Sequence, residues 1–358
     1  MLKSHTIPLF VCLLASAGAP ALAQQQTLPN PLATSTNAVW LAHSYVATPA
    51  SVALVPQTAK FLQQHNVTYW FVNVGRVDKT GKLPLGALAQ AVNFLNSVHQ
   101  WETENNCKFK VLAWINGSID AANPDRFVDI NQPELRAAIA NEASKFTDVQ
   151  APESYVAGAT RPFDGVQLDL EPSGGSDTVA ANLFRLMDEI RQKIGPDKLT
   201  SFTPHKIGTR NMYWSTPEFY YGLGQRVDLI CAMTYDTGLK DAAQYREWVK
   251  QQTTDVLRAI SGATWNNDAA HPKPKNTVRA FIGLPAFPAN QWHDVKVETV
   301  ADGASGTHLA LDELARATPN VLRYFGGTAI YLYTDGTGAD DYSSPQNWAE
   351  FKSVWLQK

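Results

Sequence analysis

Eight short runs rich in β-branched and aromatic residues alternate along the chain with longer stretches of helical period. That alternation constrains the fold more than any other feature. The runs lie near Val39 to Ser44, Thr68 to Val74, Lys110 to Ile115, Gly165 to Leu170, Thr200 to Thr203, Leu229 to Thr234, Val278 to Leu284 and Thr328 to Tyr333. Helical stretches separate them: Val52 to His65, Leu85 to Glu104, Pro133 to Phe146, Val179 to Ile194, a short one at Pro217 to Gly222, Ala242 to Ile260 and His308 to Ala317. Gln346 to Leu356 closes the series. A strand followed by a crossover helix feeds a parallel neighbour, and eight such pairs in about 300 residues have the size of a (β/α)8 barrel. An open doubly wound sheet uses the same alternation but needs a Gly-rich phosphate loop after its first strand. Here that strand runs into Tyr45-Val46-Ala47-Thr48-Pro49. The expected fold class is α/β, a single TIM barrel over residues 38–358.

The first residues read as an export signal. Lys3 and His5 precede an apolar run from Ile7 to Ala19, followed by the small-residue pattern Pro20-Ala21-Leu22-Ala23. A membrane anchor needs about 20 uninterrupted apolar residues, whereas this run is shorter and holds Pro8. Cleavage is expected after Ala23, which places the mature protein in the periplasm or outside the cell. Gln24 to Asn37 reads as a flexible lead-in.

The formal net charge is −3, and the leader contains one Lys and no acid, so the mature chain is one unit more acidic. Nothing is built to hold a polyanion: no nucleic-acid partner is expected, and no membrane contact once the signal is gone. Charged residues make up only 18%, while 10 Trp, 12 Tyr and 15 Phe exceed what a core requires. Some of these aromatics should face an uncharged ligand met by a monomer through shape and stacking. Outside the leader, the cysteines are Cys107 and Cys231, without metal-ligand spacing or a spacing that argues for a disulfide. No His pair has zinc spacing and no Gly-x-Ser-x-Gly elbow occurs, so no metal, no cofactor and no serine nucleophile are expected.

The fourth run carries the chemistry. Along it Val166, Leu168 and Leu170 alternate with Gln167, Asp169 and Glu171, and period two sends the sets to opposite faces. The apolar set should meet the helices and the polar set the barrel interior. Burying two carboxylates costs several kcal/mol, which a purely structural strand avoids. Carboxyl groups two residues apart on a strand raise one another's pKa, so one can stay protonated as general acid while the other stays ionised and orients. Glu171, last on the strand, is the expected proton donor.

At these residues the chain resembles glycoside hydrolase family 18, the chitinase family, whose fourth strand reads Asp-Gly-x-x-x-Asp-x-Glu. Asp164, Gly165, Asp169 and Glu171 match. Gln167 departs, because the family usually has a further Asp there. Met233-Thr234-Tyr235-Asp236 is similar to the family's Met-x-Tyr-Asp, Gly283-Leu284-Pro285 ends the seventh strand, Thr68 to Asn73 looks like the second, and Val111 to Ser118 is a looser third. What the resemblance implies is substrate-assisted retention: the acid protonates the glycosidic oxygen, and the substrate's own 2-acetamido oxygen attacks the anomeric carbon. By position Glu171 is then the acid, Asp169 holds the acetamido nitrogen, and Tyr235 hydrogen-bonds the acetamido oxygen. Asp236 and Met233 contact the sugar, with Asp164, Gln167 and Asn73 contributing to the site.

The implied substrate is a glycan of β-linked N-acetylglucosamine, with chitin or chitooligosaccharides, peptidoglycan strands and N-glycan cores all served by the same chemistry. A non-catalytic sugar-binding barrel is the alternative. Where the family's eighth strand usually ends in a Trp, Tyr331 is the nearest match. Without an acid at 167, a hydrogen bond from Gln167 to Asp169 and an Asp169 more readily ionised than in a three-carboxylate site are expected. Only about 40 residues separate Leu284 from Thr328, too few for the α+β module some chitinases insert there, so an open cleft suited to internal cutting is expected. Among Trp40, Trp70, Trp114, Trp292 and Tyr45, the better sugar platforms are Trp114 and Tyr45, near the mouth-side ends of their strands. Trp70 should face away from Tyr69, Phe71 and Asn73. His43, His205 and Lys206 follow strand ends and are further candidates.

Overall fold

The computed structural model describes residues 36–84, 86, 88–172, 177–208, 215–274, 278–333 and 345–356. The expected signal peptide and most of the lead-in lie outside these residues. Eight parallel strands close in sequence order: β1 Asn37–Leu41, β2 Val67–Arg76, β3 Lys110–Ser118, β4 Gly165–Glu171, β5 Leu199–Phe202, β6 Leu229–Ala232, β7 Arg279–Pro285 and β8 Phe325–Tyr333. The helices are α1 Ser44–Ala47, α2 Pro49–Ala53, α3 Val55–Gln64, α4 Ala91–Glu104, α5 Pro133–Thr147, α6 Asp177–Ile194, α7 Pro217–Gly224, α8 Ala242–Ile260, α9 Val300–Ala317 and α10 Pro345–Phe351. The chain is a single (β/α)8 barrel.

Period two separates two cores. Val166, Leu168 and Leu170 join the large shell between strands and helices. Trp40, Phe71, Leu112, Trp114, Leu229, Cys231, Phe281 and Ala329 fill the barrel interior, stacked in the manner of TIM-barrel layers. Trp70 lies in the outer shell against Phe109, ring centroids 4.3 Å apart, as the alternation predicts. Cys107 and Cys231 are both free thiols.

Among the boundaries that differ from the sequence reading, three bear on packing and the site. Asn37 is no lead-in residue. It is buried at the start of β1, where its Oδ1 accepts from the Thr328 backbone N–H at 3.2 Å and from Trp355 Nε1 at 2.9 Å. The first strand stops at Leu41, because the chain coils into α1 and turns Tyr45 outward. Helix α9 begins at Val300, well before His308, through Gly303 and Gly306, which normally argue against helix. A Cβ on Gly306 would lie 2.4 Å from Arg246 O, so the helix needs glycine there to pack on α8. Thr299 caps it, its side chain accepting from the Asp302 N–H at 3.0 Å.

Candidate active site

β4 lies beside β3 in a register that pairs Asn116 with Asp169 and Ser118 with Glu171, which carries both carboxylates to the C-terminal mouth of the barrel. Asp169 Oδ2 accepts a hydrogen bond from Trp114 Nε1 at 3.0 Å, while Oδ1 is shielded from solvent and has no hydrogen-bond partner among the described residues. Glu171 stands one step further out, its side chain 46% exposed, with Oε1 3.5 Å from His205 Nε2. Both carboxyls are held above the usual carboxylate range. For Asp169 the rise is large and comes first from burial, then from the Glu171 charge, against the opposing Trp114 bond and Arg76. For Glu171 burial leads, with Arg76 and Lys206 opposing and Asp236 assisting. The pair therefore keeps a proton to higher pH than free carboxylates do.

Past β5, His205 pairs with Met233 in a single bridge that prolongs the sheet at the mouth. Burial and the Lys206 charge push the His205 imidazole down to about 3, so it faces Glu171 as a neutral ring. Lys206 Nζ donates to the backbone oxygens of Asp236 at 2.8 Å and Tyr235 at 3.3 Å. Tyr235, on the turn after β6, stacks on Tyr331 from β8 with ring centroids 5.6 Å apart and planes 18° apart.

Asp236 adopts the left-handed conformation, φ 55°, which few non-glycine residues do without support. Support comes from Glu298, 1% exposed, whose carboxylate accepts from the Asp236 N–H at 2.8 Å, the Thr237 N–H at 2.7 Å and the Thr237 hydroxyl. His293 Nδ1 lies 3.0 Å from the same group. The His293 and Thr237 bonds, working against burial, hold Glu298 below the usual range. Asn290 Nδ2 donates to Asp236 Oδ1 at 3.1 Å.

These groups border one cavity of about 440 Å3, lined from β1 (Trp40), β4 (Asp169, Glu171), β5 (Thr203, His205, Lys206), β6 (Met233, Tyr235, Asp236), the loop after β7 (Phe287 and Asn290 to Trp292) and β8 (Tyr331). Its size lies within the usual range for small-ligand pockets. Of the residues singled out in the sequence, Asp169, Glu171, Tyr235, Asp236, Met233, Tyr331, Trp40, Trp292, His205 and Lys206 converge here.

Others do not. Asp164 sits just before β4, at the opposite end of the barrel, where its carboxylate accepts from the Val111 N–H at 3.0 Å and lies 3.7 Å from Lys110 Nζ. Gly165 beside it serves the backbone, since a Cβ would come 2.0 Å from Leu199 O. Gln167 is fully buried below Asp169. Its Oε1 accepts from Trp40 Nε1 at 2.7 Å and its Nε2 donates to Ser201 Oγ at 3.1 Å, so the donor to Asp169 is Trp114 instead. That bond lowers the Asp169 pKa, but burial and the Glu171 charge outweigh it.

Trp114 is 3% exposed and backs the carboxylate without flooring the cavity. Tyr45 is fully buried behind the barrel, its hydroxyl 2.8 Å from Thr58 Oγ1 and its ring against Phe94, because α1 turns it away from the mouth. Asn73 uses its Oδ1 on the Gly75 N–H at 2.9 Å, and His43 Nδ1 lies 2.9 Å from Asn73 O. The sequence reading missed Thr203, Phe287, Asn290, His293 and Glu298. All but Thr203 lie after β7 without periodicity, and Trp292 was the one signal there.

Solved structures share the fold at low identity. A spore cortex-lytic enzyme, SleL, from Bacillus cereus matches with a TM-score of 0.55 at 13% identity, over 90% of this chain and 74% of the other. A chitinase from Bacteroides thetaiotaomicron gives 0.52 at 14%, over 90% and 95%. A family GH18 chitinase from Cycas revoluta, solved with allosamidin, gives 0.53 at 13%, over 83% and 94%. No curated protein sequence matches the chain. The sequence pattern of the glycosyl hydrolases family 18 matches residues 45–329, most of the barrel, and the chain therefore belongs to that family and is a chitinase-like glycoside hydrolase.

Proposed function

We propose that the protein is an exported retaining glycosidase that cleaves chains of β-linked N-acetylglucosamine, chitin or its oligomers foremost, by substrate-assisted catalysis. The observation that carries this reading is the convergence of Asp169, Glu171 and Tyr235 on one cavity. Glu171, half exposed with a raised pKa, delivers its proton to the glycosidic oxygen. The glycosidic C–O bond breaks as the acetamido oxygen bonds to the anomeric carbon, giving an oxazolinium ring. Asp169, whose Oδ1 has no hydrogen-bond partner among the described residues, accepts the acetamido N–H and offsets the positive charge as it forms. Tyr235, which borders the same cavity, donates its hydroxyl to the acetamido oxygen. Glu171, now ionised, takes a proton from the water that opens the ring, which restores both groups.

The buried hydrogen bonds of Gln167 bear on the non-catalytic alternative. They account for its departure from the family pattern without any loss of the acid or its partner. Cleavage after Ala23 belongs to the same proposal and rests on the leader pattern.

The test is to incubate residues 24–358 with N-acetylglucosamine oligomers, peptidoglycan and a glycoprotein, with Glu171→Gln as control. Products from the oligomers that disappear in Glu171→Gln are expected. Binding without products would sink the enzymatic reading, and cleavage that survives loss of Glu171 would sink the mechanism.

A further inference from the structure

Glu171 is last on β4 and its side chain is 46% exposed, so packing alone does not choose its rotamer. Its Oε1 faces the His205 ring, with Nε2 3.5 Å away. His205, by contrast, is held in place. The Thr203 N–H donates to Leu168 O at 3.0 Å and the Met233 N–H to Pro204 O at 3.1 Å, while the Tyr220 hydroxyl, from α7, donates to His205 O at 2.9 Å. The segment after β5 is thus bonded to β4, to the end of β6 and to a fully buried Tyr, and the His205 side chain is only 12% exposed. A fixed ring meets a carboxyl that is free to turn.

The charges around the pair decide what the ring can do. Glu171 is faced by Asp169 on its own strand, by Arg76 at the end of β2, by Lys206 next to His205 and by Asp236 after β6. Two cations already favour the ionised form, and a third at position 205 would draw the proton off the acid. His205 does not supply one, because its ring, pushed down to about 3, is a weaker base than the Glu171 carboxylate, which is held above its ordinary range. The proton shared across the contact therefore belongs to Glu171. A neutral imidazole still carries one N–H, which can orient a carboxyl without adding charge.

We infer that His205 is the positioning residue of the acid: its Nε2–H donates to Glu171 Oε1, which leaves the acidic proton on Oε2 and turns that oxygen toward the glycosidic bond. This rests on the reading of Glu171 as proton donor. No proton crosses between the two side chains. The Glu171 proton passes to the glycosidic oxygen as the C–O bond breaks, and the N–H stays on His205, where it now meets a carboxylate, a stronger acceptor than the acid was. The contact shortens as that charge develops, as catalytic hydrogen bonds do on approach to the transition state.

The test compares two leaving groups by kcat/KM, which covers the steps through cleavage of the glycosidic bond. One substrate is the N-acetylglucosamine trimer, whose leaving sugar needs a proton. The other is the dimer as its dinitrophenyl glycoside, whose acidic phenol leaves unaided. In His205→Ala the trimer rate is expected to fall about a hundredfold and the dinitrophenyl rate by less than about threefold. In His205→Gln, whose side-chain amide offers an N–H in place of Nε2–H, trimer cleavage should stay within about tenfold of wild type. Equal losses on both substrates in His205→Ala overturn the positioning role, because a distorted cavity harms both. So does a Gln variant as poor on the trimer as the Ala variant. Should a melting curve show that His205→Ala does not fold, the Gln variant decides: trimer cleavage kept supports the role, and a loss on both substrates overturns it. If wild type cleaves neither substrate, the reading of Glu171 falls and the role of His205 with it.

Discussion

Asp169 is the residue where stability and chemistry oppose each other. Its folded pKa lies above the value near 3.9 of an unfolded Asp. Between the two values the native state binds the proton that the unfolded state has lost, so stability falls as pH rises through that window. The full stability is present only below the unfolded value. Asp169→Asn cannot titrate and still accepts from Trp114. It should therefore melt higher than wild type at neutral pH, with the difference gone below about pH 4, while activity is lost. Thermal melts at both pH values check this, and equal melting temperatures at neutral pH would contradict the buried-acid account.

Trp114→Phe acts on the same group with the opposite intent. Removing the donor takes away a bond that favours the carboxylate, so Asp169 rises further and the acid limb of the pH–rate profile should move to higher pH. A profile that keeps its shape would show that Trp114 only packs. Gln167 is a different case, since its partners lie inside the barrel. Gln167→Leu should cost about 1–3 kcal/mol in chemical denaturation by stranding Trp40 Nε1 and Ser201 Oγ. Unchanged stability would refute that role.

At the scale of elements, strands and helices were legible because a buried face imposes a period, and the eight strands were each located from it. The polar face of β4 was legible for the same reason: Gln167, Asp169 and Glu171 alternate with Val166, Leu168 and Leu170. Function along that face was only partly legible. Asp164 and Gln167 match or miss a motif by position, yet their work is in hydrogen bonds to Val111, Trp40 and Ser201 that no spacing reveals.

Of the loop after β7 only Trp292 was legible, since the loop's order comes from Glu298 and His293 packed under the turn after β6. Glu298→Gln keeps one oxygen acceptor but turns an amide donor toward either the Asp236 or the Thr237 N–H, a pairing that repels. We expect at least one of the two amides to lose protection from hydrogen exchange and kcat to fall about tenfold, with the amides of β4 unaffected. Protection retained at Asp236 and Thr237 would show that Lys206 and Asn290 suffice to hold the turn.

For the whole molecule the decisive feature is what stands around the mouth. From Pro285 at the end of β7 to Phe325 at the start of β8 the chain holds a loop, α9 and one 3-10 turn, with no inserted module to wall the cavity on that side. Among the described residues, the cavity is bordered on the β7 side by that loop alone. On the proposed substrate reading, a glycan lying past that side would be cut within its length. Early in a digest of long N-acetylglucosamine oligomers, we expect a spread of intermediate lengths and a rapid loss of viscosity from soluble polymer. Disaccharides released alone from one end, with the polymer length otherwise conserved, would mean that some other part of the molecule closes the cleft.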